Sequence, residues 1–246
     1  MAFTDNSLVP RSRLYPDESL DDLLRGELKL IQKRRGFRYS VDALLLAHFV
    51  LPAAGEVVAD LGAGSGVIPL ILARRGSPHK IIAVEIQRRL AGMARRNVQL
   101  NHFDEIIAVV HRDLRKLPEI LHPASFDLVL SNPPFRPLGS GNLSANREKA
   151  VARHELRVTL AELLQVARRL LKPSGRICLV YPFERWSHLL AEIKQAGLAV
   201  ARTQLAYDRK GGQPKLGLVE ARIKGRGKAE ELPPIFIETE KGKFEL

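Results

Sequence analysis

The residues Asn132-Pro133-Pro134-Phe135, which follow the apolar run at residues 126–131, are the clearest candidates for chemistry in this chain. A planar exocyclic amine is a poor nucleophile because its lone pair is delocalised into the ring, so a catalyst must localise that pair. The side-chain oxygen of Asn132 and the carbonyl oxygen of Pro133 can accept both N–H bonds of such an amine. Prolines stiffen the loop, and Phe135 can stack on the ring. These four residues therefore predict a catalytic motif for methylation of a planar nitrogen.

A second motif, from Asp60 to Gly66, is typical of a strand that turns into a helix beside a ligand. Glycines at 62, 64 and 66 allow the backbone to approach a ligand closely, and open α/β sheets bind ligands outside the carboxyl ends of their strands. The dinucleotide fingerprint would need a glycine where Val67 stands. Asp60 would repel a phosphate but attract a cation. S-adenosylmethionine carries an ammonium and a sulfonium, so the motif predicts this cofactor, bound by Asp60, Gly62, Gly64 and Gly66.

Three more acidic residues are candidates for the same cofactor site. Glu85 ends the second apolar run, where a carboxylate can accept hydrogen bonds from both ribose hydroxyls. Asp113 follows the third apolar run and is placed to accept from the exocyclic amine of an adenine. Asp42 either faces the methionyl part of the cofactor or interacts with the dipole of its own helix. The alternative is an isolated glycine turn, a solvated strand end at Glu85 and a turn cap at Asp113. Taken together, the three features favour an adenosine-containing ligand.

The periodicity of the chain predicts an α/β fold with a doubly wound sheet. Short apolar runs alternate with amphipathic runs, and continuous apolar strands need burial on both faces. The expected strands lie near residues 56–61, 80–86, 106–111, 126–131 and 175–181, and the expected helices at 67–75, 88–100, 159–171 and 184–196. Two further runs, 198–206 and 216–223, are joined by a glycine turn and should pair antiparallel.

The N-terminal part indicates a small addition to this sheet. Residues 28–31 and 37–39 are predicted to form a hairpin whose tip carries Lys33, Arg34 and Arg35, with Gly36 in the turn. Ser40 then suits the N-cap of a helix at residues 41–50. The predicted division is an extension with a hairpin at 1–40, one large domain at 41–224 and a polar tail at 225–246.

The charge of the chain favours a polyanionic partner. Its 246 residues include 39 Lys and Arg against 27 Asp and Glu, which gives a formal net charge of +12. Such an excess attracts nucleic acid and makes phosphate contacts sensitive to salt. The alternative for any single cation is a solvated surface. The proposed RNA contacts lie on the hairpin and on the long connection after the Asn132 motif: Lys33, Arg34, Arg35, Arg38, Lys149 and Arg153.

Several other classes of protein are disfavoured by composition. The single cysteine, Cys178, lies in an apolar run and is expected to be a buried small residue. The histidines lack metal-ligand spacing, and His154-Glu155 is expected to order the loop before a helix. There is no apolar stretch of membrane-spanning length and no signal-peptide core at the start, so we expect a cytoplasmic protein without a metal.

With both motifs present, the chain resembles the class I S-adenosylmethionine-dependent methyltransferases over roughly residues 36–224. Within them it is most similar to the bacterial tRNA adenine-N6 methyltransferases that act beside the anticodon of a valine tRNA. Residues 36–46, around Asp42, and residues 149–155 carry this closer resemblance. Phe135 stands where many relatives have tyrosine, a change that keeps the stacking ring.

This resemblance implies a mostly parallel seven-stranded sheet with an antiparallel C-terminal strand, S-adenosylmethionine as cofactor and tRNA as substrate. Similar motifs also serve guanine-N2 methylation of rRNA and glutamine-N5 methylation of proteins, so those acceptors stay open. A different class, an RNA-binding module that uses this fold without turnover, is disfavoured by the presence of both motifs.

Overall fold

The computed structural model describes residues 14–36, 38–133, 158–223, 227–239 and 242–243. The strands are β1 (Glu18–Leu23), β2 (Leu28–Lys33), β3 (Val57–Leu61), β4 (Lys80–Glu85), β5 (Ile107–His111), β6 (Phe126–Ser131), β7 (Leu171–Pro182), β8 (Ala199–Tyr207), β9 (Pro214–Arg222), β10 (Glu230–Glu231), β11 (Ile235–Phe236), β12 (Glu238–Thr239) and β13 (Gly242–Lys243). The α-helices are α1 (Val41–Phe49), α2 (Val67–Arg75), α3 (Arg88–Leu100), α4 (Leu160–Leu170) and α5 (Trp186–Gln195).

The central sheet has the strand order β10-β8-β9-β7-β6-β3-β4-β5. Strands β3 to β7 pair in parallel, whereas β9 is antiparallel to both β7 and β8. The seven strands β3 to β9 confirm the predicted sheet with its antiparallel C-terminal strand. Because β8 runs in the same direction as β7, the chain after β8 returns to the edge where the parallel strands end.

Helices cover both faces of this sheet, as the continuous apolar strands require. Successive strand residues point to opposite faces. Leu128 and Leu130 pack in the cluster that includes α1, α2 and the hairpin residue Leu30, whereas Val129 packs in the cluster that includes α4 and α5. The alternation confirms the doubly wound α/β architecture. The five predicted parallel strands and five predicted helices all form, with bounds that differ by a few residues.

The predicted N-terminal hairpin is wrong in its pairing. Strand β2 pairs with β1, a segment that was not predicted as a strand, and the turn between them lies at Leu24–Gly26. Residues 38 and 39 are not in a strand. The cations at 33–35 therefore stand at the end of β2 and not at a hairpin tip. The polar sequence of β1 did not indicate a strand. Its buried charged residue, Glu18, pairs with Arg96 on α3.

The segment predicted as a polar tail contributes to the sheet. Residues 230–231 and 235–236 form β10 and β11, which pair in parallel with the edge strand β8. Pro233 and Pro234 fall between these two short strands, where no ladder hydrogen bond is needed from them. The predicted domain boundaries at residues 40 and 224 stay predictions.

Candidate active site at the carboxyl edge of the sheet

The candidate site lies where β3, β4 and β6 end side by side. Strand β3 is the middle one of these neighbours, since Asp60 is in register with Ala83 of β4 and with Leu130 of β6. Carboxyl ends of parallel strands share one edge of a sheet. The fold therefore brings Asp60, the glycine loop, Glu85 and Asn132 to the same edge.

The loop from Gly62 to Gly66 leaves β3 in a conformation that favours glycine. Gly62, Gly64 and Gly66 have φ angles of 88°, 58° and 84°. Gly66 is the N-cap of α2, and a Cβ added there would lie 3.3 Å from the Cβ of Ala94. The amides of Gly62 and Ala63 both donate to the carbonyl oxygen of Val84, at 2.9 Å each. The loop is thus fixed against the end of β4.

Asp60 is a buried carboxylate whose charge is not compensated by any described residue. It is 1% exposed, and neither of its oxygens has a hydrogen-bond partner in the described part of the chain. Burial, together with the charge of Glu85, raises the pKa of Asp60 well above its usual range. A buried carboxylate without a partner is strongly unfavourable. A cationic ligand at this edge would remove that penalty, so the arrangement fits the ammonium and sulfonium of S-adenosylmethionine.

Glu85 is buried at the end of β4 and is already held by backbone amides. Its Oε2 accepts from the amide of Gly64 at 2.9 Å, and its Oε1 accepts from the amide of Gln87 at 2.7 Å. Burial raises the pKa of Glu85, although these hydrogen bonds oppose the shift. Each carboxylate oxygen can accept more than one hydrogen bond. Glu85 can therefore support the glycine loop and still accept from a ribose.

In the chain, the acceptor motif comes directly after a residue that joins β6 to β3. The Ser131 hydroxyl donates to the carbonyl oxygen of Leu61 at 2.6 Å, and both groups are buried. This bond ties the end of the acceptor strand to the start of the glycine loop. Asn132 and Pro133 come next and are half-buried. Pro134 and Phe135, which complete the predicted motif, lie outside the described residues.

Asp113 lies close to the predicted position but its carboxylate is engaged. It caps a short 3-10 segment after β5, where it accepts from the Arg115 amide at 3.0 Å. The Arg115 guanidinium also pairs with both Asp113 oxygens, at 2.5 and 3.0 Å. The hydrogen bond from Arg115 lowers the pKa of Asp113. Its predicted contact with an adenine amine stays a prediction, and it would require Arg115 to share the carboxylate.

Asp42 lines a cleft farther along the same edge. This edge cleft has a volume of about 980 Å³, and its polar lining includes Gln32, Arg38, Asp42, Glu184, Asp208 and Lys215. The glycine loop, Glu85 and Asn132 are not part of the lining. Burial raises the pKa of Asp42. The structure therefore places Asp42 on the side of β7 to β9, and its predicted contact with the cofactor stays a prediction.

The predicted RNA-contacting cations differ in their surroundings. Lys33 is buried, whereas Arg34 and Arg35 are exposed. Arg38 pairs with Asp21 and donates to the Lys33 carbonyl oxygen at 2.9 Å, so it holds the chain beside the hairpin. Lys149 and Arg153 lie outside the described residues. Arg34 and Arg35 are therefore the described members that are best placed to meet phosphate.

Two residues near the loop were not predicted from the sequence. Asn97 is fully buried on α3 and donates to the Ser65 carbonyl oxygen at 2.9 Å. Ser65 is also buried, and no described residue pairs with its hydroxyl. A polar residue at an apolar position of an amphipathic helix was the available signal, because α3 buries Leu90, Ala94 and Val98 on the same side.

Other features of the described residues carry no site chemistry. Cys178 is buried, as predicted, and burial raises its pKa. Within the described ranges, no three acidic, histidine or cysteine side chains cluster in a way that would hold a metal ion. The helices described are too short or too polar to cross a membrane.

Comparison with known proteins places these observations among methyltransferases. Residues 40–204 match the family described as "Methyltransferase small domain". The chain is 32% identical to a tRNA1(Val) (adenine(37)-N6)-methyltransferase of Trichodesmium erythraeum, with 70% of this chain and 71% of that protein covered. It is 30% identical to a protein of the same name from Shewanella halifaxensis, with coverages of 74% and 72%.

Solved structures show the same fold at lower sequence similarity. A crystal structure of a predicted O-methyltransferase from Agrobacterium tumefaciens superposes with a TM-score of 0.61 at 22% identity, covering 80% of this chain and 87% of that one. A SAM-dependent methyltransferase from Aquifex aeolicus gives a TM-score of 0.53 at 19% identity, with coverages of 74% and 89%. These similarities concern the fold alone.

The uncompensated burial of Asp60 predicts a pH-dependent penalty on stability. Its pKa is higher in the folded than in the unfolded protein, so the folded state binds the extra proton and stability falls as pH rises from about 4 through the raised pKa. Asp60→Asn should flatten this decline. Urea unfolding between pH 4 and 8 measures the difference from wild type, with the exposed Glu105→Gln as the matched control. If the free energy of unfolding of Asp60→Asn declined with pH as steeply as that of wild type, the charge of the Asp60 carboxylate would be compensated.

Proposed function

This chain belongs to the methyltransferase small-domain family, and we propose that it transfers the methyl group of S-adenosylmethionine to the N6 amine of an adenine in tRNA. The observation that carries the proposal is the shared edge, where the buried carboxylates of Asp60 and Glu85 lie beside the strand that leads into Asn132. The named relatives at 30–32% identity support the choice of tRNA adenine as acceptor.

The donor side of this edge suits a positively charged cofactor. When bound, S-adenosylmethionine supplies a methyl group on a cationic sulfur. Asp60 offers a buried carboxylate that no described residue pairs with, and Glu85 offers acceptors beside a rigid loop. Neutralising a buried charge with an opposite one is worth more in this low-dielectric place than in water. The same carboxylates would disfavour a pyrophosphate, which separates this pocket from a dinucleotide site.

The acceptor side needs groups that hold an aromatic amine in line with the methyl group. The Oδ1 atom of Asn132 and the carbonyl oxygen of Pro133 accept the two N–H bonds, which localises the lone pair on the nitrogen and aims it at the methyl group. The bond between Ser131 and Leu61 fixes this acceptor pair relative to the glycine loop. A base is not required before transfer, because the amine becomes acidic once it is methylated and positively charged.

The edge cleft supplies room for the RNA beside the target base. It starts at the end of β7, the strand next to β6, and is bounded by the turn between β8 and β9. Its lining carries both signs of charge, and the carboxylates of Asp42 and Glu184 could accept hydrogen bonds from the amino groups of bases. Exposed cations outside the cleft, such as Arg34 and Arg35, suit the phosphates.

Identification of the methylated product tests the proposal. Purified protein is incubated with isotopically labelled S-adenosylmethionine and either total tRNA, rRNA or protein, and the labelled fraction is digested to single nucleosides or amino acids. We expect the label in N6-methyladenosine from tRNA. Label in N2-methylguanosine or in N5-methylglutamine would show that the acceptor is a guanine or a glutamine and not an adenine. Cofactor binding with no labelled product in any pool would favour an RNA-binding role without turnover.

Loss of the Asn132 amide should separate transfer from cofactor binding. In Asn132→Ala the amine loses one of its two acceptors, so we expect kcat to fall by about 100-fold or more, the size of effect that follows from misplaced reacting groups. The affinity for S-adenosylmethionine, measured by calorimetry, should stay within about twofold of wild type because Asn132 belongs to the acceptor side. Turnover close to wild type would contradict the role of this side chain.

Charge reversal at the end of β2 tests the RNA-binding surface. The double variant Arg34→Glu, Arg35→Glu should bind tRNA more weakly and with a smaller salt dependence, by about one unit of slope for each phosphate that these side chains no longer neutralise. The matched control is Arg169→Glu, Lys194→Glu, which changes the charge equally on α4 and α5. Equal weakening in both variants would mean that net charge, and not this surface, attracts the RNA.

A further inference from the structure

The side chain of Asn97 connects two parts of the protein that are far apart in sequence. Its Oδ1 accepts from the amide of Ile31 at 2.6 Å, and its Nδ2 donates to the carbonyl oxygens of Ile31 and Ser65, at 2.9 Å each. Asn97 is fully buried. The oxygen and both N–H groups of this amide are therefore used, with two bonds to the hairpin strand β2 and one to the glycine loop.

The contact with β2 continues one helical turn farther along α3. Asn101 accepts from the amide of Lys29 at 2.9 Å and donates to the carbonyl oxygen of Lys29 at 2.7 Å. Four residues of helix rise about 6 Å, and two residues of strand rise about 6.6 Å, so the two amides match alternate residues of β2. Asn97 and Asn101 thus satisfy the edge of β2 as another strand would.

The hairpin is held firmly enough to serve as a fixed support. Glu18 and Arg96 form a bidentate ion pair at 2.5 and 2.7 Å, and both side chains are buried. The Tyr15 ring lies 4.7 Å from the Arg96 guanidinium. Burial is the largest single influence and would raise the pKa of Glu18, but the hydrogen bonds from Arg96 and from the Tyr15 amide, together with the charge of Arg96, outweigh it and lower the pKa. Leu23, Leu28 and Leu30 join the main core.

The glycine loop is held from the opposite side by β4. Val84 accepts from the amides of Gly62 and Ala63, and Glu85 accepts from the amide of Gly64. Ser65 comes next in the chain, and its carbonyl oxygen accepts from Asn97. The loop is therefore fixed at each residue from 62 to 65, and Asn97 supplies the attachment on the side of α3 and the hairpin.

We propose that Asn97 is a positioning residue of the cofactor site, and that the N-terminal hairpin completes this site by fixing the Asn97 amide. The inference rests on the proposed function, since it assumes that the glycine loop binds S-adenosylmethionine. Asn97 touches the loop backbone and not the reacting groups. Its loss should leave the loop free to move at Ser65, which weakens cofactor binding and leaves the acceptor motif in place.

The test compares Asn97→Ala with Asn101→Ala in the full-length protein. Both variants remove a paired interaction with β2, but only Asn97→Ala releases Ser65. Calorimetry should show S-adenosylmethionine binding that is about tenfold weaker in Asn97→Ala, the change expected for the loss of about one hydrogen bond's net contribution, and within about twofold of wild type in Asn101→Ala. The KM for the cofactor should rise in the same ratio while kcat at saturating cofactor stays near wild type.

Asn97→Ser keeps the test informative if Asn97→Ala does not fold, because its hydroxyl can still reach a carbonyl oxygen directly or through water. It should show an intermediate KM. A KM equal to wild type in a folded Asn97 variant, or an equal rise in the Asn101→Ala variant, would overturn the role of Asn97. A wild-type protein that binds no S-adenosylmethionine would instead refute the proposed function, so the two failures are distinguishable.

Discussion

The burial of Asp60 without a hydrogen-bond partner among the described residues is the constraint on which this site depends. A carboxylate in such a place is unfavourable when ionised, and Glu85 on the next strand adds repulsion. The surrounding structure must therefore hold both groups in place against their own electrostatics. It does so with the two apolar clusters on either face of the sheet and with backbone bonds to Val84 and Glu85. The penalty on such a site is relieved by protonation at low pH or, while the carboxylate is ionised, by a bound cation.

The same rigidity links the proposed donor side and acceptor side of the site. Strand β3 provides Asp60 and the glycine loop, and its neighbour β6 leads into Asn132. The bond from the Ser131 hydroxyl to the Leu61 carbonyl oxygen joins their ends directly. If Asn132 holds the amine as proposed, one short path through two adjacent strands places that amine relative to the loop. Precise placement of two reactants needs such a path, since an error of about 1 Å can reduce the rate about 100-fold.

The parts of the fold that were predicted correctly are those set by short stretches of sequence. The parallel strands and their helices follow from continuous apolar runs and amphipathic periodicity, and the positive φ angles of the glycine loop follow from residue type. The β1–β2 pairing did not follow, because Glu18 becomes buried only when Arg96, 78 residues away, supplies its charge. The position of Asn97 among the apolar residues of α3 marked it as unusual but did not identify what it binds. Its partners, Ile31 and Ser65, are neighbours only in the folded chain.

The uneven placement of charge also explains how a basic protein can have an acidic site. The chain carries a net charge of +12, yet Asp60, Glu85 and Asp42 gather at the edge where the strands end. A polyanion attracted by the overall field would find its phosphates repelled from these pockets and held by cations around them. A neutral base with an exocyclic amine meets no such barrier, and a cationic cofactor is attracted. Under the proposed function, this distribution of charge would favour phosphates on the surrounding surface and the cationic cofactor beside Asp60 and Glu85.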